Sequence, residues 1–191
     1  AIVVGAGQQP GDTIGNGRAI ALTFAREGAE VLCVDREVDR AEETVALITA
    51  EGGTAMAHAA DITQLDDIEA LIAGALARWG RIDILVNNVG IGLAGDGPAH
   101  RATDEAFDRI FAVNFTGARR LTRAVLGPMR AAESGVILNI SSLASIAGAN
   151  MIGYEISKAA LNRLTTATAQ GCAAKGVRCN AILPGLMDTP M

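Results

Sequence analysis

The sequence predicts an α/β fold in which a doubly wound, parallel β-sheet has helices on both faces, giving three layers. Three observations carry this prediction. Short runs rich in Val and Ile alternate with longer segments whose apolar residues recur at the spacing of a helix. The short runs are nearly continuous in apolar residues, as in 82–86, which is typical of strands covered on both faces. Of the 191 residues, 50% are hydrophobic, so residues 1–191 can form the core of a single domain.

Six strands and five helices are expected to alternate along the chain. The strands are predicted at 1–4, 30–34, 54–58, 83–86, 136–140 and 177–182. The helices are predicted at 17–26, 38–50, 65–79, 104–130 and 152–174. The chain starts inside an apolar run, without Met, and stops just after a turn. We therefore expect both ends to be incomplete, with the last helix and strand of the fold missing.

The composition favours a small-molecule ligand. The net charge is −5 and there is no basic run, which argues against binding to nucleic acid or to a membrane surface. No stretch reaches the roughly 20 apolar residues of a membrane span, and no signal peptide is visible, so a cytoplasmic location is expected. The three cysteines and two histidines lack metal-ligand spacing. We expect buried, reduced thiols and no catalytic metal.

A glycine-rich segment follows the first strand and opens the first helix. It contains Gly5, Gly7, Gly15 and Gly17. Glycine lets backbone N–H groups approach a pyrophosphate, whose charge is favoured at a helix N-terminus. Such a segment can also be a plain tight turn, so the prediction of a phosphate site needs a second signal.

Asp35 supplies that signal at the end of the second strand. It lies 18 residues after Gly17, where dinucleotide-binding folds place a carboxylate that binds the ribose hydroxyls. The 2′-phosphate of NADP would meet like charge there. Arg36 could neutralise that repulsion and stack on adenine, whereas Ile14 offers no basic partner. NAD is therefore the predicted cofactor and NADP the alternative.

Tyr154 and Lys158 are the candidate proton-transfer pair. They stand four positions apart in a predicted helix, so both side chains project from one face. A nearby ammonium stabilises a phenolate, which lets tyrosine exchange a proton near neutral pH. Taken alone, the pair could also be an exposed tyrosine and lysine with no joint role.

Together with other ordered motifs, these residues resemble the short-chain dehydrogenase/reductase family, in its standard-length, NAD-using branch. The resemblance covers essentially all 191 residues and implies a Rossmann fold. The segment Asn87-Asn88-Val89-Gly90 resembles the family's Asn-Asn-Ala-Gly turn, which borders the cofactor; Val89 is a mild departure. The pair Asp61-Ile62 is similar to the family pair that contacts adenine.

The resemblance also implies a catalytic set. Tyr154 would be the general acid or base, Lys158 would also bind the nicotinamide ribose, and Asn114 would hold a water of a proton relay. Ser142 would bind the substrate oxygen, with Ser141 as the alternative, because Ser142 stands 12 residues before Tyr154 and 13 is the commoner family spacing. In the last turn Pro184, Gly185, the backbone of Met187 and the hydroxyl of Thr189 would hold the nicotinamide carboxamide.

The glycine segment is the main departure from the family pattern. Nine residues separate Gly5 from Gly15, where the family usually has three. If the outer glycines still form the turn, the extra residues form a flap beside the phosphates, with Gln8 or Thr13 as candidate contacts.

The implied activity is hydride transfer between NAD(H) and a secondary alcohol or carbonyl substrate. The alternatives are a non-catalytic nucleotide-binding sensor or scaffold and an NAD-assisted epimerase or dehydratase. The resemblance further implies a homotetramer, or a homodimer. The glycine-rich loop 90–103 is a candidate wall of the substrate pocket, and the substrate itself cannot be predicted.

Overall fold

A computed structural model describes residues 1–189 and contains one six-stranded sheet in which every pair of neighbouring strands is parallel. The order across the sheet is β3-β2-β1-β4-β5-β6. The strands are β1 (Ile2–Val4), β2 (Val31–Asp35), β3 (Ala55–Ala59), β4 (Ile84–Asn87), β5 (Gly135–Ile140) and β6 (Val177–Ile182).

Helices connect the strands and cover both faces of the sheet. They are α1 (Asn16–Arg26), α2 (Val38–Ala50), α3 (Leu65–Trp79), α4 (Asp104–Phe111), α5 (Ala118–Ala131), α6 (Ala144–Ala147) and α7 (Ile152–Cys172). A π-helical turn, Ala112–Gly117, joins α4 to α5, and a 3₁₀ turn, Ala173–Lys175, follows α7. The predicted α/β doubly wound fold is thereby confirmed.

Two hydrophobic clusters form the core, one on each face of the sheet. Successive side chains of a strand point to opposite faces. In β1 this places Ile2 and Val4 in one cluster, with Leu71 of α3 and Leu121 of α5. Val3 lies in the other cluster, which also contains residues of α1 and α2. A three-layer arrangement follows directly from this alternation.

Two helices, α3 and α4, have charged or capping residues that stabilise their ends. Helix α3 has Asp66 and Asp67 in its first turn and Arg78 in its last, which suits the helix dipole. It ends at Gly80, whose φ of 69° is the left-handed conformation that favours glycine. At the start of α4, the hydroxyl of Thr103 accepts a hydrogen bond from the N–H of Ala106, at 3.2 Å.

The helix predicted at 104–130 is observed, but its middle is not α-helical. The π-helical turn at Ala112–Gly117 interrupts it, with α-helix on both sides. A π-helical turn inserts an extra residue without breaking the chain direction, so the apolar periodicity still indicates a helix. The short helix α6 was not predicted, and α7 ends at Cys172 rather than at residue 174.

The three cysteines are free and buried, as expected. Burial raises the pKa of the Cys33 thiol to about 12. Burial, with a smaller contribution from Cys172, raises the pKa of Cys179 to about 11. Since the thiolate is the reactive form of cysteine, these thiols suit packing rather than chemistry.

The order of the strands places a crevice at their carboxyl ends. From β1 the chain proceeds to β2 and β3 on one side and then returns to β4 on the other. The connections after β1 and β4 therefore diverge, and such a point is where open α/β sheets bind ligands.

Helix α1 lies unusually close to the turn after β1. A Cβ atom on Gly17 would stand 1.7 Å from the carbonyl oxygen of Gly5 and 2.7 Å from the amide nitrogen of Asn88. Only a residue without a side chain fits there. This packing brings the N-terminus of α1 against the carboxyl ends of β1 and β4.

We expect Gly17→Ala to lower the free energy of unfolding by about 1–3 kcal/mol, because the new methyl group meets a backbone oxygen at 1.7 Å. Urea denaturation measures the change. The control is Gly74→Ala in α3, which has no atom within 4 Å of the added Cβ and should gain about 0.5–1 kcal/mol. Equal effects of the two substitutions would contradict the close approach.

Candidate active site

A cleft of about 490 Å³ lies at the carboxyl ends of β1, β2 and β4. Most of the residues predicted to bind cofactor line it. They are Gly5, Gly7, Gln8, Gly15, Gly17, Asp35, Arg36, Asp61, Ile62, Asn88, Val89, Gly90 and Thr189.

The long glycine segment is held by its own side chains and by β2. The N–H of Gly7 donates to Oδ2 of Asp35 at 3.1 Å, and a Cβ on Gly7 would stand 2.5 Å from that oxygen. The N–H of Gly15, at the N-cap of α1, donates to Oε1 of Gln8 at 2.9 Å. Gln8 thus lies where the helix N-terminus offers donors to an acceptor. Thr13, its predicted companion, is not among the residues that line the cleft.

A cluster of charges surrounds the end of β2. Oδ1 of Asp35 accepts the N–H of Glu37 at 3.1 Å, and Asp35 itself lines the cleft. The carboxylate of Glu37 pairs with Arg40 at 2.8 Å and with Arg36 at 3.6 Å. Both arginines therefore already face an anion.

Asp61 begins the loop after β3 and stays ionised. Partial burial alone would raise its pKa, but hydrogen bonds from the hydroxyl and N–H of Thr63, with the charges of Arg109 and Arg36, lower that pKa below its usual range. The two Thr63 donors are 2.7 and 2.9 Å from Oδ1 of Asp61. Ile62 beside it is buried and packs within 2.7 Å of where a Cβ on Gly117 would be.

The segment after β4 forms the floor of the cleft. Nδ2 of Asn88 donates to the carbonyl oxygen of Gly5 at 3.0 Å, which ties β4 to the glycine segment. Val89 packs against Gly5, whose φ is +78°. A Cβ on Gly90 would stand 2.7 Å from Nζ of Lys158. The cleft therefore ends beside the lysine of the candidate catalytic pair.

Lys158 is buried, with 2% of its surface exposed. Its ammonium donates to the carbonyl oxygen of Ile140, the last residue of β5, at 2.9 Å, and lies 5.7 Å from the ring centre of Tyr154. Desolvation lowers the pKa of Lys158 to about 8. The predicted pair thus lies together on the first two turns of α7, with its cation removed from water.

The two serines that end β5 have different surroundings. Ser141 is 3% exposed, and its hydroxyl donates to the backbone carbonyl of Lys158 at 3.1 Å. Ser142 is partly exposed, and its hydroxyl oxygen accepts the N–H of Ala144 at 3.2 Å. The Ser141 hydroxyl therefore joins β5 to α7, whereas the Ser142 hydroxyl retains its proton for another acceptor.

Asn114 lies fully buried in the π-helical turn. Its side-chain oxygen accepts the N–H of Ile91 at 2.8 Å, and its amide nitrogen donates to the carbonyl of Ile91 at 3.0 Å and to the hydroxyl of Ser157 at 3.1 Å. Asn114 thus fixes the loop after β4 against α7. π-Helical turns are frequent at functional sites, and this one lies between the cleft and α7.

The turn after β6 is only partly at the cleft. Thr189 lines it, whereas Pro184, Gly185 and Met187 do not. The carbonyl of Pro184 accepts the N–H of Leu143, at 2.9 Å, so this turn is joined to the residue after Ser142. The side chain of Met187 is 56% exposed.

Ten of the residues that line the cleft were not named individually from the sequence, although two of them, Ile91 and Gly92, lie in the loop 90–103 that was predicted as a pocket wall. Arg109 stands four positions before Val113 and five before Asn114. The helical period could therefore have placed Arg109 on the same side of the helix as these two residues. Arg40 carried no sequence signal, because its place depends on the pairing with Glu37. The ten are Val4, Gln9, Asn16, Glu37, Arg40, Ala60, Ile91, Gly92, Arg109 and Val113.

Comparison with known proteins assigns the family. A model of the short chain dehydrogenase family matches residues 1–191. The chain belongs to the short-chain dehydrogenase family. It is 39% identical to 2-(R)-hydroxypropyl-CoM dehydrogenase of Xanthobacter autotrophicus over 95% of this chain and 74% of that protein. It is 36% identical to cyclopentanol dehydrogenase of Comamonas testosteroni over 95% of this chain and 72% of that protein.

Solved structures of short-chain dehydrogenases have the same fold. One from Burkholderia xenovorans superposes with a TM-score of 0.95, at 39% identity, over 100% of this chain and 75% of its own. A metagenomic short-chain oxidoreductase with NADP bound gives a TM-score of 0.89 at 38% identity, over 97% and 81% of the two chains. An NAD⁺-bound xylitol dehydrogenase gives 0.89 at 32% identity, over 96% and 68%. The relatives are oxidoreductases that act on alcohols, and the family uses nicotinamide cofactors.

Two absences hold for residues 1–189, the part of the chain that the structure describes. These residues contain no group of three or more His, Cys, Asp or Glu side chains that could hold a metal ion. None of the helices described over this range is both long enough and apolar enough to cross a membrane.

The buried cation of Lys158 predicts a stability that rises with pH. The folded-state pKa lies near 8, below the ordinary 10.5, so the folded chain releases this proton while the unfolded chain still holds it. The cost of burying the charge is fully present below about pH 8 and is relieved between 8 and 10.5. We expect Lys158→Met to be more stable than the original chain at pH 7, by up to about 3 kcal/mol, and to lose that advantage by pH 10.5.

Urea unfolding of both proteins over this pH range measures the difference. Lys175→Met is the matched control, since the side chain of Lys175, the second lysine of the sequence, is 46% exposed and pairs with Glu133. The difference in free energy of unfolding between Lys175→Met and the original chain should stay constant between pH 8 and 10.5. A constant difference for Lys158→Met would show that the ammonium is not desolvated in the folded protein.

Proposed function

We propose that this chain transfers hydride between NAD(H) and a secondary alcohol or its carbonyl, with Tyr154 as the general acid and base. The observation that carries the proposal is the placement of the buried Lys158 ammonium, 5.7 Å from the ring centre of Tyr154 and against Gly90 at the end of the cleft. A desolvated cation beside a phenol stabilises the phenolate. This geometry supports a proton acceptor beside the end of the cofactor cleft.

The residues of the cleft fit a dinucleotide. Gly7 and Gly17 let the glycine segment and α1 pack closely against Asp35 and the carboxyl end of β1, and the N-terminus of α1 offers backbone donors to a pyrophosphate. Asp35 would accept the adenosine ribose hydroxyls, and Asp61 with Ile62 would border adenine. Lys158 and Tyr154 would bind the nicotinamide ribose, with Thr189 at the carboxamide. When bound, the nicotinamide accepts or supplies the hydride.

Each candidate catalytic side chain would either transfer a proton or stabilise a charge. In the oxidising direction Tyr154 takes the hydroxyl proton of the alcohol, and in reduction it returns one to the carbonyl oxygen. Ser142 donates a hydrogen bond to that oxygen, a role its partial exposure supports over the buried Ser141. Asn114 holds the π-helical turn against Ile91, where a water would link Lys158 to solvent.

Two alternatives remain distinct from this proposal. A nucleotide-binding sensor would bind NAD without turnover, and the long glycine segment is the feature that favours it. An NAD-assisted epimerase or dehydratase would convert substrate with no net change in the cofactor. Net formation of NADH from NAD and an alcohol excludes both.

We expect Tyr154→Phe to reduce turnover by about 10²–10⁴-fold, because the general acid and base is lost, while the dissociation constant for NAD rises by less than about tenfold, because only one contact to the ribose is removed. Reduced-cofactor absorbance follows turnover with a panel of secondary alcohols that includes cyclopentanol and sorbitol, and calorimetry measures NAD binding. Tyr154 is the one tyrosine of the chain, so no other phenol can substitute. Undiminished turnover would refute the assignment.

Charges around β2 support NAD over NADP. A 2′-phosphate beside the ribose would stand near the carboxylate of Asp35, which Gly7 and Glu37 hold in place. The nearby Arg36 and Arg40 both pair with Glu37. The two arginines could neutralise the 2′-phosphate only after their ion pairs with Glu37 break. The phosphate would therefore first be repelled by the carboxylate of Asp35.

We expect Asp35→Ser to raise the ratio of kcat/KM for NADP to that for NAD by at least about tenfold, because the substitution removes the like charge and leaves two arginines near the phosphate. Steady-state kinetics with both cofactors measures the ratio. Asp39→Ser is the matched control, since Asp39 is an exposed aspartate in the first turn of α2 that does not line the cleft. A parallel shift in that control would mean that only net charge matters.

A homotetramer, or a homodimer, is the assembly we infer for this single-domain chain. The aromatic side chains of Phe107, Phe111 and Phe115 support it, because they form a partly exposed stripe along α4 and the π-helical turn. Their successive ring centres are 5.7 and 5.1 Å apart. An apolar stripe of this kind suits a symmetric contact between two copies.

A further inference from the structure

Asp96 connects the loop after β4 to the first turn of the catalytic helix. Its Oδ1 accepts the N–H of Gly97 and the N–H of Gly153, both at 2.9 Å. Its Oδ2 accepts the N–H of Tyr154 at 3.0 Å. The carbonyl of Gly97 accepts the N–H of Ile152, also at 2.9 Å. Two adjacent loop residues thereby bind the first three N–H groups of α7.

The first N–H groups of a helix have no partner within it and normally bond to a residue just before the helix. Met151, the residue before α7, makes no side-chain cap, and its own N–H donates to Glu155 at 3.0 Å. Asp96 supplies the missing acceptor from 57 positions away. A Cβ on Gly153 would stand 3.2 Å from Oδ1 of Asp96, so glycine permits this approach.

We propose that Asp96 is a positioning residue, which holds Tyr154 at its working distance from Lys158 by capping the first turn of α7 from the loop. This inference rests on the proposed function. The two members of the pair have separate anchors: Lys158 is bonded to the carbonyl of Ile140 in β5, and the backbone of Tyr154 is bonded to Asp96. The distance between them therefore depends on how firmly the loop holds the helix end.

The anchored end of α7 also meets the predicted wall of the substrate pocket. Asp96 lies within the loop 90–103, whose start is bonded to Asn114 through Ile91. Thr103, at its end, donates its N–H to the carbonyl of Gly95 at 2.9 Å. The loop is thus closed on itself between Gly95 and Thr103 and bonded to Asn114 at its start. A rigid support of this kind is what a reacting side chain needs.

The test is Asp96→Asn, which keeps the size of the side chain. An asparagine has one acceptor oxygen, so Gly97 and Gly153 keep their partner while the amide group faces the N–H of Tyr154 and cannot accept it. We expect kcat to fall by about 10–10²-fold as Tyr154 shifts, and KM for NAD to change less than about twofold. The assay uses NAD with the alcohol of the panel that the original chain oxidises fastest, and rates are expressed per NAD-binding site.

Amide hydrogen exchange gives a second readout that needs no substrate. In Asp96→Asn we expect the amide of Tyr154, which loses its acceptor, to exchange at least about tenfold faster, and residues 161–168 of the same helix to be unchanged. Asp104→Asn is the matched control, because Asp104 is an exposed aspartate in the first turn of α4. It removes the same charge and should change neither kcat nor the exchange of α7.

The outcomes separate positioning from general stability. Unchanged exchange of the Tyr154 amide, or a kcat that falls only in proportion to lost NAD-binding protein, would overturn the proposal. Equal losses in Asp96→Asn and Asp104→Asn would overturn it as well, since net charge would then be the cause. If the original chain binds NAD but oxidises no alcohol, the proposed function fails, and hydrogen exchange still decides whether Asp96 holds the turn that carries Tyr154.

Discussion

The ammonium of Lys158 is buried against the end of β5, and the site is arranged around it. Removing a cation from water costs several kcal/mol unless partners compensate. One carbonyl, that of Ile140, accepts from it at 2.9 Å, and the pKa of Lys158 is lowered to about 8. Part of the cost therefore remains in the folded chain. A desolvated cation is also a stronger electrostatic partner for the phenol of Tyr154 than a solvated one, because screening by water is removed.

Buried polar contacts hold the helix that carries this cation onto the sheet. Nδ2 of Asn139 in β5 donates to the hydroxyl of Thr165 at 2.8 Å, and Nδ2 of Asn87 in β4 donates to Oδ1 of Asn139 at 2.8 Å. Ser141 adds a bond to the backbone of Lys158. Such contacts are directional, whereas apolar packing tolerates sliding. The register of α7 on β5, and hence the position of Lys158, is set by these bonds.

The fold and much of the cleft could be predicted because they depend on local rules. Apolar runs and helical periodicity located all six strands within two residues. Parallel strands end at one edge of the sheet, so residues that follow strands, such as Gly5, Asp35, Asp61 and Asn88, lie near one another. The four-residue spacing of Tyr154 and Lys158 places both on one helix face. In each case the sequence position alone decides the location.

The remaining features depend on contacts between residues distant in sequence, which no periodicity records. The π-helical turn keeps an apolar helical pattern, yet Asn114 within it binds Ile91, 23 positions away. Asp96 lies in a polar loop like any other, and its function as a cap is evident only once the loop lies against Gly153 and Tyr154. Asp96 also shows why a motif is incomplete evidence for a working site. The tyrosine and lysine can be recognised from their spacing, but the backbone of the tyrosine is bonded to a loop and the ammonium of the lysine to a strand, and both partners lie outside the motif.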